Sequence, residues 1–327
     1  MNGSRRGPEA QQRDLRLGVI GMNEGNGHPF SYSAIFNGYD PQALQQRCPF
    51  DLIREYLPRD HRNEMFLPGA KVTHVWTQDR KLSEDVAAVA KIPNIAGRME
   101  DLVGEVDAII LARDDPENHL AMAKPFLERK MPILIDKQLA ASKSDVDAIL
   151  SLAGAGYPIM AGSPARYTRD LVRARETLES RAVHSIHGMS LVNWVRYGHH
   201  LFEPIACLYG LDIRSVRSLS AKEGHDIVQI AYRSGLNVIL EFIRGIHIPV
   251  AFTCFSEEAE PLTVPFSDFF YSFRAMLSDF VDLVRTGKPP FPREEMVAIA
   301  HVVLAGVISK ERNGVAIDPV TLAEAAR

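Results

Sequence analysis

Residues 15–28 read LRLGVIGMNEGNGH, an apolar run that passes directly into a glycine-rich loop. The run from 15 to 20 has the length and composition of a buried strand. Glycines at 21, 25 and 27 indicate a turn with unusual backbone angles or a ligand close to the backbone. Pro29 fits a first helical turn, and the apolar residues after it predict a helix. This order of elements suits the binding of a phosphate group at a helix N-terminus.

Outward from this stretch, short apolar segments and helical segments alternate as far as residue 161. The strands are apolar on both faces, which is typical of a parallel sheet covered by helices on both sides. We therefore predict an α/β fold whose N-terminal part, residues 15–162, is a doubly wound domain of the Rossmann type. The predicted segments are strands at 15–20, 71–77, 106–112, 132–135 and 157–161, and helices at 83–90, 118–129 and 142–153.

A segment at about 37–70 interrupts the alternation. It contains prolines at 41, 49, 58 and 68 and many charged residues. We interpret it as an insertion with short helical pieces. Its composition leaves open whether it covers the site or contacts another subunit.

The second half of the chain changes character. Its strands alternate apolar with polar residues, as in an antiparallel sheet with one solvated face. Together with the helices, they predict an α+β domain over residues 163–327. The predicted segments are strands at 185–194, 214–222, 226–233, 236–242 and 250–255, and helices at 199–208, 269–285 and 293–310.

Composition and charge narrow the class of protein. The chain has 327 residues, 46% hydrophobic and 24% charged, so two globular domains are expected. The formal net charge of −4, without a basic block, argues against nucleic acid as a partner and favours small molecules. No apolar run reaches the roughly 18–20 residues of a membrane span.

The chain start and the cysteines lead to two further expectations. Residues 1–14 are polar and lack the apolar segment of a secretory signal, so we expect a flexible tail on a cytoplasmic protein. Cys48, Cys207 and Cys254 are far apart and lack C-x-x-C spacing. We therefore predict neither a metal site nor a disulfide framework.

The glycine loop is the first candidate for ligand binding. A dinucleotide pyrophosphate needs backbone N–H groups at a helix N-terminus and no side chains in the way. The spacing differs from G-x-G-x-x-G, because Asn23 stands at the second glycine position and Asn26 at the third. An ordinary glycine-rich turn is the alternative. The predicted cofactor contacts in this segment are Gly21, Asn23, Gly25, Gly27 and His28.

Asp79 and Arg80 follow the second strand and are candidates for the adenosine end of the cofactor. An acid there would accept hydrogen bonds from the ribose hydroxyls. The arginine would instead hold a 2′-phosphate. We favour NAD over NADP, and the alternative is that both residues are solvated loop charges.

Two further segments carry groups for proton and charge transfer. Lys137 follows an apolar strand, so its side chain points towards the ligand crevice, where its charge would lower the pKa of a substrate hydroxyl. A surface lysine is the alternative. His199 and His200 open a helix, and imidazole suits proton transfer to or from a carbinol. Structural histidines are the alternative, and metal is not predicted because no third ligand has suitable spacing.

Taken together, these features resemble the glucose–fructose oxidoreductase / inositol dehydrogenase / MocA family, over nearly the whole chain from Leu15. Four segments carry the resemblance, in the family's order and spacing. They are ARDDPENH at 112–119, similar to A-T-P-x-x-x-H; IDKQLA at 135–140, similar to E-K-P-x-A; GHHLFE at 198–203 with Gly210, similar to G-x-H-x-x-D and a glycine; and the tail at 279–290 with 317–319.

The resemblance implies a Rossmann domain followed by an open, mostly antiparallel sheet that builds homo-oligomers, dimers or tetramers. It implies hydride transfer between NAD or NADP and a carbinol or carbonyl carbon of a sugar, polyol or sugar-derived substrate. Lys137 would orient and polarise the substrate oxygen, and His200 would be the acid/base. By the same resemblance, Ala112, Asp114, His119 and Asp136 would contact the cofactor, and Arg166, Arg196, His199 and Glu203 the substrate.

The chain departs from the family pattern at three of these places. Asp136 replaces the glutamate and Gln138 the proline of E-K-P, and Arg196 stands where the family often has an aspartate. Arg196 would suit a substrate carboxylate or phosphate. Two alternatives follow: a member that uses bound NAD transiently for elimination or hydrolysis, or a non-catalytic nucleotide-binding protein.

Overall fold

The computed structural model of the chain describes residues 13–60, 67–219, 222–246, 248–257 and 259–324. Residues 1–12, most of the predicted tail at 1–14, lie outside the described residues. Directly before the first strand, Arg13 donates hydrogen bonds to Asp107 at 2.8 and 2.9 Å.

The first domain contains the strands β1 (Leu15–Ile20), β2 (Ala70–Trp76), β3 (Asn94–Ile95), β4 (Ala108–Leu111), β5 (Ile133–Asp136) and β6 (Ile159–Gly162). They form one sheet in the order β3-β2-β1-β4-β5-β6, and every neighbouring pair is parallel. All residues of β4, β5 and β6 are buried, as expected for strands covered on both faces. The predicted α/β fold with a Rossmann-type sheet is confirmed.

The helices of this domain are α1 (His28–Asn37), α2 (Pro41–Arg47), α3 (Asp51–Asp60), α4 (Arg80–Ala90), α5 (His119–Glu128) and α6 (Lys143–Ala153), with short 3₁₀ turns at Met99–Leu102 and Pro116–Asn118. Helix α4 begins earlier than the predicted helix at 83–90. The reason is that the Asp79 carboxylate accepts a hydrogen bond from Lys81 N at 2.8 Å and caps the helix. Strand β2 begins and ends one residue earlier than predicted, and strand β4 is shorter than predicted.

The insertion predicted at 37–70 forms α2 and α3, and residues 61–66 lie outside the described part of the chain. Asp40 caps α2 by accepting a hydrogen bond from Ala43 N at 2.8 Å. On α3, the ring of Tyr56 lies 6.1 Å from that of Phe269 and 6.3 Å from that of Phe273. The insertion is therefore packed onto the body of the protein at the mouth of the crevice described below.

The second domain contains β7 (Val183–Leu191), β8 (Ile213–Ser218), β9 (His225–Tyr232), β10 (Asn237–Ile243), β11 (Ala251–Ser256) and β12 (Leu262–Pro265). Their order is β12-β11-β7-β10-β9-β8; β7 and β10 are parallel and the other neighbours antiparallel. Buried residues alternate along β9 and β10, which leaves one face of the sheet open. The prediction of a mostly antiparallel second sheet is confirmed, although β12 was missed.

The helices of the second half are α7 (Arg169–Leu178), α8 (Trp194–Tyr209), α9 (Phe269–Thr286), α10 (Arg293–Glu311) and α11 (Pro319–Glu324), with a 3₁₀ turn at Pro164–Tyr167. Helix α7 was not predicted. Helix α8 starts five residues before the predicted 199, because Asn193 Oδ1 accepts a hydrogen bond from Arg196 N at 2.9 Å.

The two halves share apolar packing. Phe273, Met276 and Phe280 of α9 belong to the same buried cluster as Leu17 and Val72 of the first sheet. Helix α9 therefore closes the crevice of the first domain from the other half of the chain. No helix among the described residues is long and apolar enough to cross a membrane.

Candidate active site

The candidate site lies beyond the carboxyl ends of β1, β4 and β5. Between β1 and β4 the strand order reverses, which is where open α/β sheets bind their ligands. A cavity of about 180 Å³ is found there. Lys137, His28 and His200 reach it, and apolar side chains form most of the remaining wall. Those side chains include Phe50, Ile53, Tyr56, Phe266, Phe269 and Phe273.

Lys137 is held by the end of β5 with only 3% of its surface exposed. Its Nζ lies 3.2 Å from Asp114 Oδ2 and 5.8 Å from the centre of the Tyr197 ring. Burial lowers the pKa of Lys137, but the charges of Asp136 and Asp114 outweigh this and raise it. The site therefore contains a buried, protonated ammonium group.

Asp114, which follows β4, connects the two domains. Its carboxylate accepts hydrogen bonds from Lys137, from Asn23 Nδ2 at 2.7 Å and from Arg196. Burial opposes ionisation of Asp114, yet these neighbours hold its pKa well below the usual range. Arg196 also donates to the Glu24 carbonyl at 3.1 Å. Arg196 is thus engaged with the glycine loop and Asp114, and its contact with a substrate stays a prediction.

Asp136, the last residue of β5, is paired with His28 at the start of α1. Its Oδ2 is hydrogen-bonded to His28 Nδ1 and accepts from Asn26 Nδ2 at 3.1 Å. Burial raises the pKa of Asp136, but the neighbouring His28 and Lys137 lower it further than burial raises it. The structure therefore holds an ionised carboxylate directly behind the imidazole of His28.

His200 lies on the opposite wall, on α8. Its Nδ1 is 2.7 Å from Ser163 Oγ. Burial and the charge of Lys137 bring the pKa of His200 well below its ordinary value. His199 lines a separate small cavity together with Leu139 and Glu203, and burial lowers its pKa to about 3. Burial therefore disfavours the charged form of both rings.

The predicted substrate residues Arg166 and Glu203 lie behind His200 and do not reach the cavity. Arg166 donates to Glu203 at 3.1 Å and to Glu295 at 2.6 Å. Ser163 N donates to the other Glu203 oxygen at 2.7 Å. Burial raises the pKa of Glu203 to about 7, although the charge of Arg166 opposes this. This buried group supports α8 from behind.

Sequence reasoning missed Ser163 and the pairing of His28 with Asp136. Ser163 comes directly after the last strand of the first sheet, and this position was a signal for a residue at the crevice. His28 and Asp136 were both named as cofactor contacts, but nothing in the sequence linked them.

Several predicted cofactor contacts have protein partners instead. Asp79 is exposed and caps α4, and Arg80 pairs with Glu84 at 3.3 Å. Ala112 is buried, with its N–H bonded to the Ile20 carbonyl. The cofactor assignments of these residues stay predictions.

His119 connects two loops behind the site. Its Nδ1 lies 2.7 Å from the Gln138 carbonyl and its Nε2 2.9 Å from the Arg113 carbonyl. The Lys137–Gln138 peptide bond is cis. His119 therefore supports the loops after β4 and β5 from inside the fold.

The glycine loop is covered by the protein's own side chains. The His28 N–H is bonded to Asn26 Oδ1 at 2.8 Å, and Pro29 has no N–H. A methyl group on Gly27 would come within 2.4 Å of Ile53 Cδ1 and 2.6 Å of Phe50 Cδ2. Phe50 and the first turn of α3 thus rest on the loop surface that faces a phosphate group in a dinucleotide-binding fold.

The architecture defines a class of fold, a Rossmann domain joined to a mostly antiparallel open sheet. No protein-family model matches the chain, and no curated protein matches it by sequence. Similar solved structures do exist. They include a myo-inositol 2-dehydrogenase from Lactobacillus plantarum (TM-score 0.71, 14% identity, 94% of this chain and 99% of that chain).

Two further structures agree. A scyllo-inositol dehydrogenase from Lactobacillus casei with bound NAD(H) and scyllo-inositol has a TM-score of 0.72 at 10% identity, covering 94% of this chain and 100% of that chain. A protein of gentamicin A biosynthesis in complex with NAD has a TM-score of 0.71 at 15% identity, with coverages of 97% and 100%. The resemblance to the glucose–fructose oxidoreductase / inositol dehydrogenase / MocA family is confirmed at the level of the fold.

Proposed function

We propose that the protein is an NAD(P)-dependent oxidoreductase that interconverts a carbinol and a carbonyl group. One observation carries the proposal: a buried, protonated lysine and two imidazoles reach the same cavity at the strand-order reversal. A substrate oxygen placed between them would meet a positive charge and a proton acceptor. Groups aimed in advance at developing charge commonly supply the largest part of catalysis.

Lys137 would bind the substrate oxygen and stabilise the negative charge that develops on it. Its ammonium group is fixed by Asp114 and is almost fully screened from solvent. In such an environment a charge interacts more strongly than in water. An imidazole on the cavity wall would take the hydroxyl proton, and the family resemblance gives this role to His200.

The cofactor would supply the hydride acceptor, as nicotinamides do. The loop 25–28 fits the nicotinamide end, because it lines the cavity that Lys137 also reaches. The cavity of about 180 Å³ is below the roughly 300–1,000 Å³ of small-molecule sites. A dinucleotide placed over Gly27 would therefore have to displace the side chains of Phe50 and Ile53.

The finer assignments rest on the resemblance. We propose a sugar, polyol or sugar-derived substrate, NAD rather than NADP, and a homo-oligomer. The inositol dehydrogenases of the same fold make the inositols the first compounds to assay.

The covered loop favours a second candidate, a protein of this fold without dehydrogenase turnover. Phe50 and Ile53 occupy the surface over Gly27, and the His28 N–H has an internal partner. A protein that never bound a dinucleotide would keep this arrangement. Transient use of NAD in an elimination or hydrolysis is a further variant of the main proposal.

Thermal unfolding separates these functions. The cofactor-stripped protein is heated with NAD⁺, NADH, NADP⁺ or NADPH at saturating concentration. A ligand at about 100 times its Kd stabilises by roughly 2.7 kcal/mol, a rise of several degrees in Tm. We expect one oxidised–reduced pair to stabilise selectively. No shift with any of the four would contradict the dehydrogenase proposal and favour the second candidate.

A further inference from the structure

We infer that His28, oriented by Asp136, is the proton acceptor of this site, and that His200, whose Nδ1 meets the hydroxyl of Ser163, is not. This inference rests on the proposed oxidoreductase function. It assigns the chemistry to a residue of the glycine loop rather than to the helix of the second domain.

His28 is held by hydrogen bonds and aromatic packing. Asp136 Oδ2 bonds to His28 Nδ1, and Asp136 Oδ1 accepts from Lys137 N at 2.9 Å. The imidazole stacks on Tyr32 at 4.6 Å and meets the edge of Phe273 at 5.2 Å. The ring therefore has a fixed position, with a carboxylate on one nitrogen and aromatic rings around it.

The other ring nitrogen of His28, Nε2, is the atom that can accept a proton. A carboxylate at Nδ1 selects the tautomer with a proton on Nδ1 and leaves the lone pair on Nε2. His28 lines the cavity, and 14% of its side chain is exposed. Within the described part of the chain, Nε2 has no hydrogen-bond partner. The free lone pair is thus available to a substrate hydroxyl beside Lys137.

His200 has a different partner from His28. Its Nδ1 meets the hydroxyl of Ser163, which carries no charge to stabilise an imidazolium. Asp114 is engaged by Lys137 and Arg196. An anionic partner stabilises the cation that forms when an imidazole takes a proton. Of the two imidazoles on this cavity, His28 has that partner and His200 does not.

The proposed step is a proton transfer. The O–H bond of the substrate carbinol breaks, and an N–H bond forms at His28 Nε2. The charge on the resulting imidazolium faces the Asp136 carboxylate, and the developing oxyanion faces Lys137. The imidazolium later returns its proton to water, so the histidine is regenerated in each turnover.

The tautomer of His28 tests the inference without a substrate. Wild-type protein labelled with ¹⁵N-histidine is examined by long-range ¹H–¹⁵N NMR, with His28→Gln to assign the signal. We expect the Nδ1–H form in the wild type and its loss as the dominant form in Asp136→Asn. A wild-type ring protonated on Nε2 and free on Nδ1 would overturn the inference, because Nε2 then has no lone pair for a proton.

Kinetics with the stabilising nucleotide and an inositol provide the second readout. We expect His28→Gln to lower kcat by about 10²–10⁴-fold and His200→Gln by less than about tenfold. The reverse order would overturn the inference and leave the oxidoreductase proposal standing. Binding of none of the four nucleotides would instead contradict the function itself. Circular dichroism of each variant controls for folding.

Discussion

The two walls of the cavity each present an imidazole, but they are built differently. On the glycine-loop wall, His28 is backed by the ionised carboxylate of Asp136. On the α8 wall, His200 is backed by the hydroxyl of Ser163. The comparison teaches that two imidazoles on one cavity can have different local partners, and that the charge of the partner decides how well each imidazole can hold a proton.

The second layer sharpens the difference. Near His28, the carboxylates of Asp136 and Asp114 both lie close to Lys137, which lines the cavity. Behind His200, the charged groups are Arg166 and Glu203, which are buried, pair with each other and do not line the cavity. The first wall is therefore expected to govern catalysis, and the second to govern stability.

The largest effect is expected from breaking the second wall, by Arg166→Met. The substitution leaves Glu203 buried without its cation, and removal of one partner of a buried pair costs about 3–5 kcal/mol. Urea unfolding at pH 8 measures this free energy. The control is Arg169→Met, because Arg169 pairs with Asp268 while 57% exposed; a change of at most about 1 kcal/mol is expected there. Equal losses in both variants would show that the pair behind His200 is not a stabilising centre.

The next effect concerns Lys137, which lines the same cavity as His28 and His200. Lys137→Ala removes the charge that faces the substrate oxygen, and loss of one such group lowers kcat by about 10²–10³-fold. Nucleotide binding, measured by the thermal shift, is expected to stay nearly intact. Lys143→Ala is the control, because Lys143 lies outside the cavity and pairs with Asp147 on α6. Unchanged turnover in Lys137→Ala would remove Lys137 from the proposed mechanism.

The sequence predicts the fold from patterns along the chain, but it does not show the local partners of individual residues. The alternation of strands and helices predicted the first sheet, since buried parallel strands give continuous apolar runs. The N-caps Asp79 of α4 and Asn193 of α8 were not predicted, so both helices were predicted too short. The strand β12 is four residues long and was missed.

For the site, motif resemblance placed Lys137 and His200 in the crevice, where the structure has them. The pairing of His28 with Asp136 was out of reach, because the two residues are 108 positions apart. The sequence likewise did not show which groups lie next to the guanidinium group of Arg196, for which a substrate contact was predicted. Only the folded chain brings Asp114 and the Glu24 carbonyl to its guanidinium group.

The pH dependence of stability gives the third prediction. The folded-state pKa of Glu203 is raised from 4.5 to about 7, so the folded protein holds a proton that the unfolded chain releases. Stability from this group is present below about pH 4.5 and is lost as pH rises through 7, by about 3 kcal/mol in total. Urea unfolding from pH 4.5 to 8 measures the slope.

Glu203→Gln tests the source of that slope, because the amide does not titrate. We expect this variant to flatten the fall in unfolding free energy between pH 4.5 and 7, while exposed Glu294→Gln keeps it. A wild-type slope in Glu203→Gln would place the pH sensitivity elsewhere, and the difference between the two walls would lose its electrostatic part.

The smallest effect tests access to the glycine-loop wall. Phe50→Ala removes part of the cover over Gly27. If only the uncovered form binds the dinucleotide, raising its population tightens the apparent Kd in proportion, here by about 3–10-fold. The control is Leu52→Ala, two residues further along the chain and lining the same cavity, but 52% exposed and not among the atoms nearest to Gly27. Fluorescence titration with the stabilising nucleotide measures the apparent Kd of both variants. Equal affinities of the two variants would mean that α3 already leaves room for the cofactor, so that His28 is reached without displacing this helix.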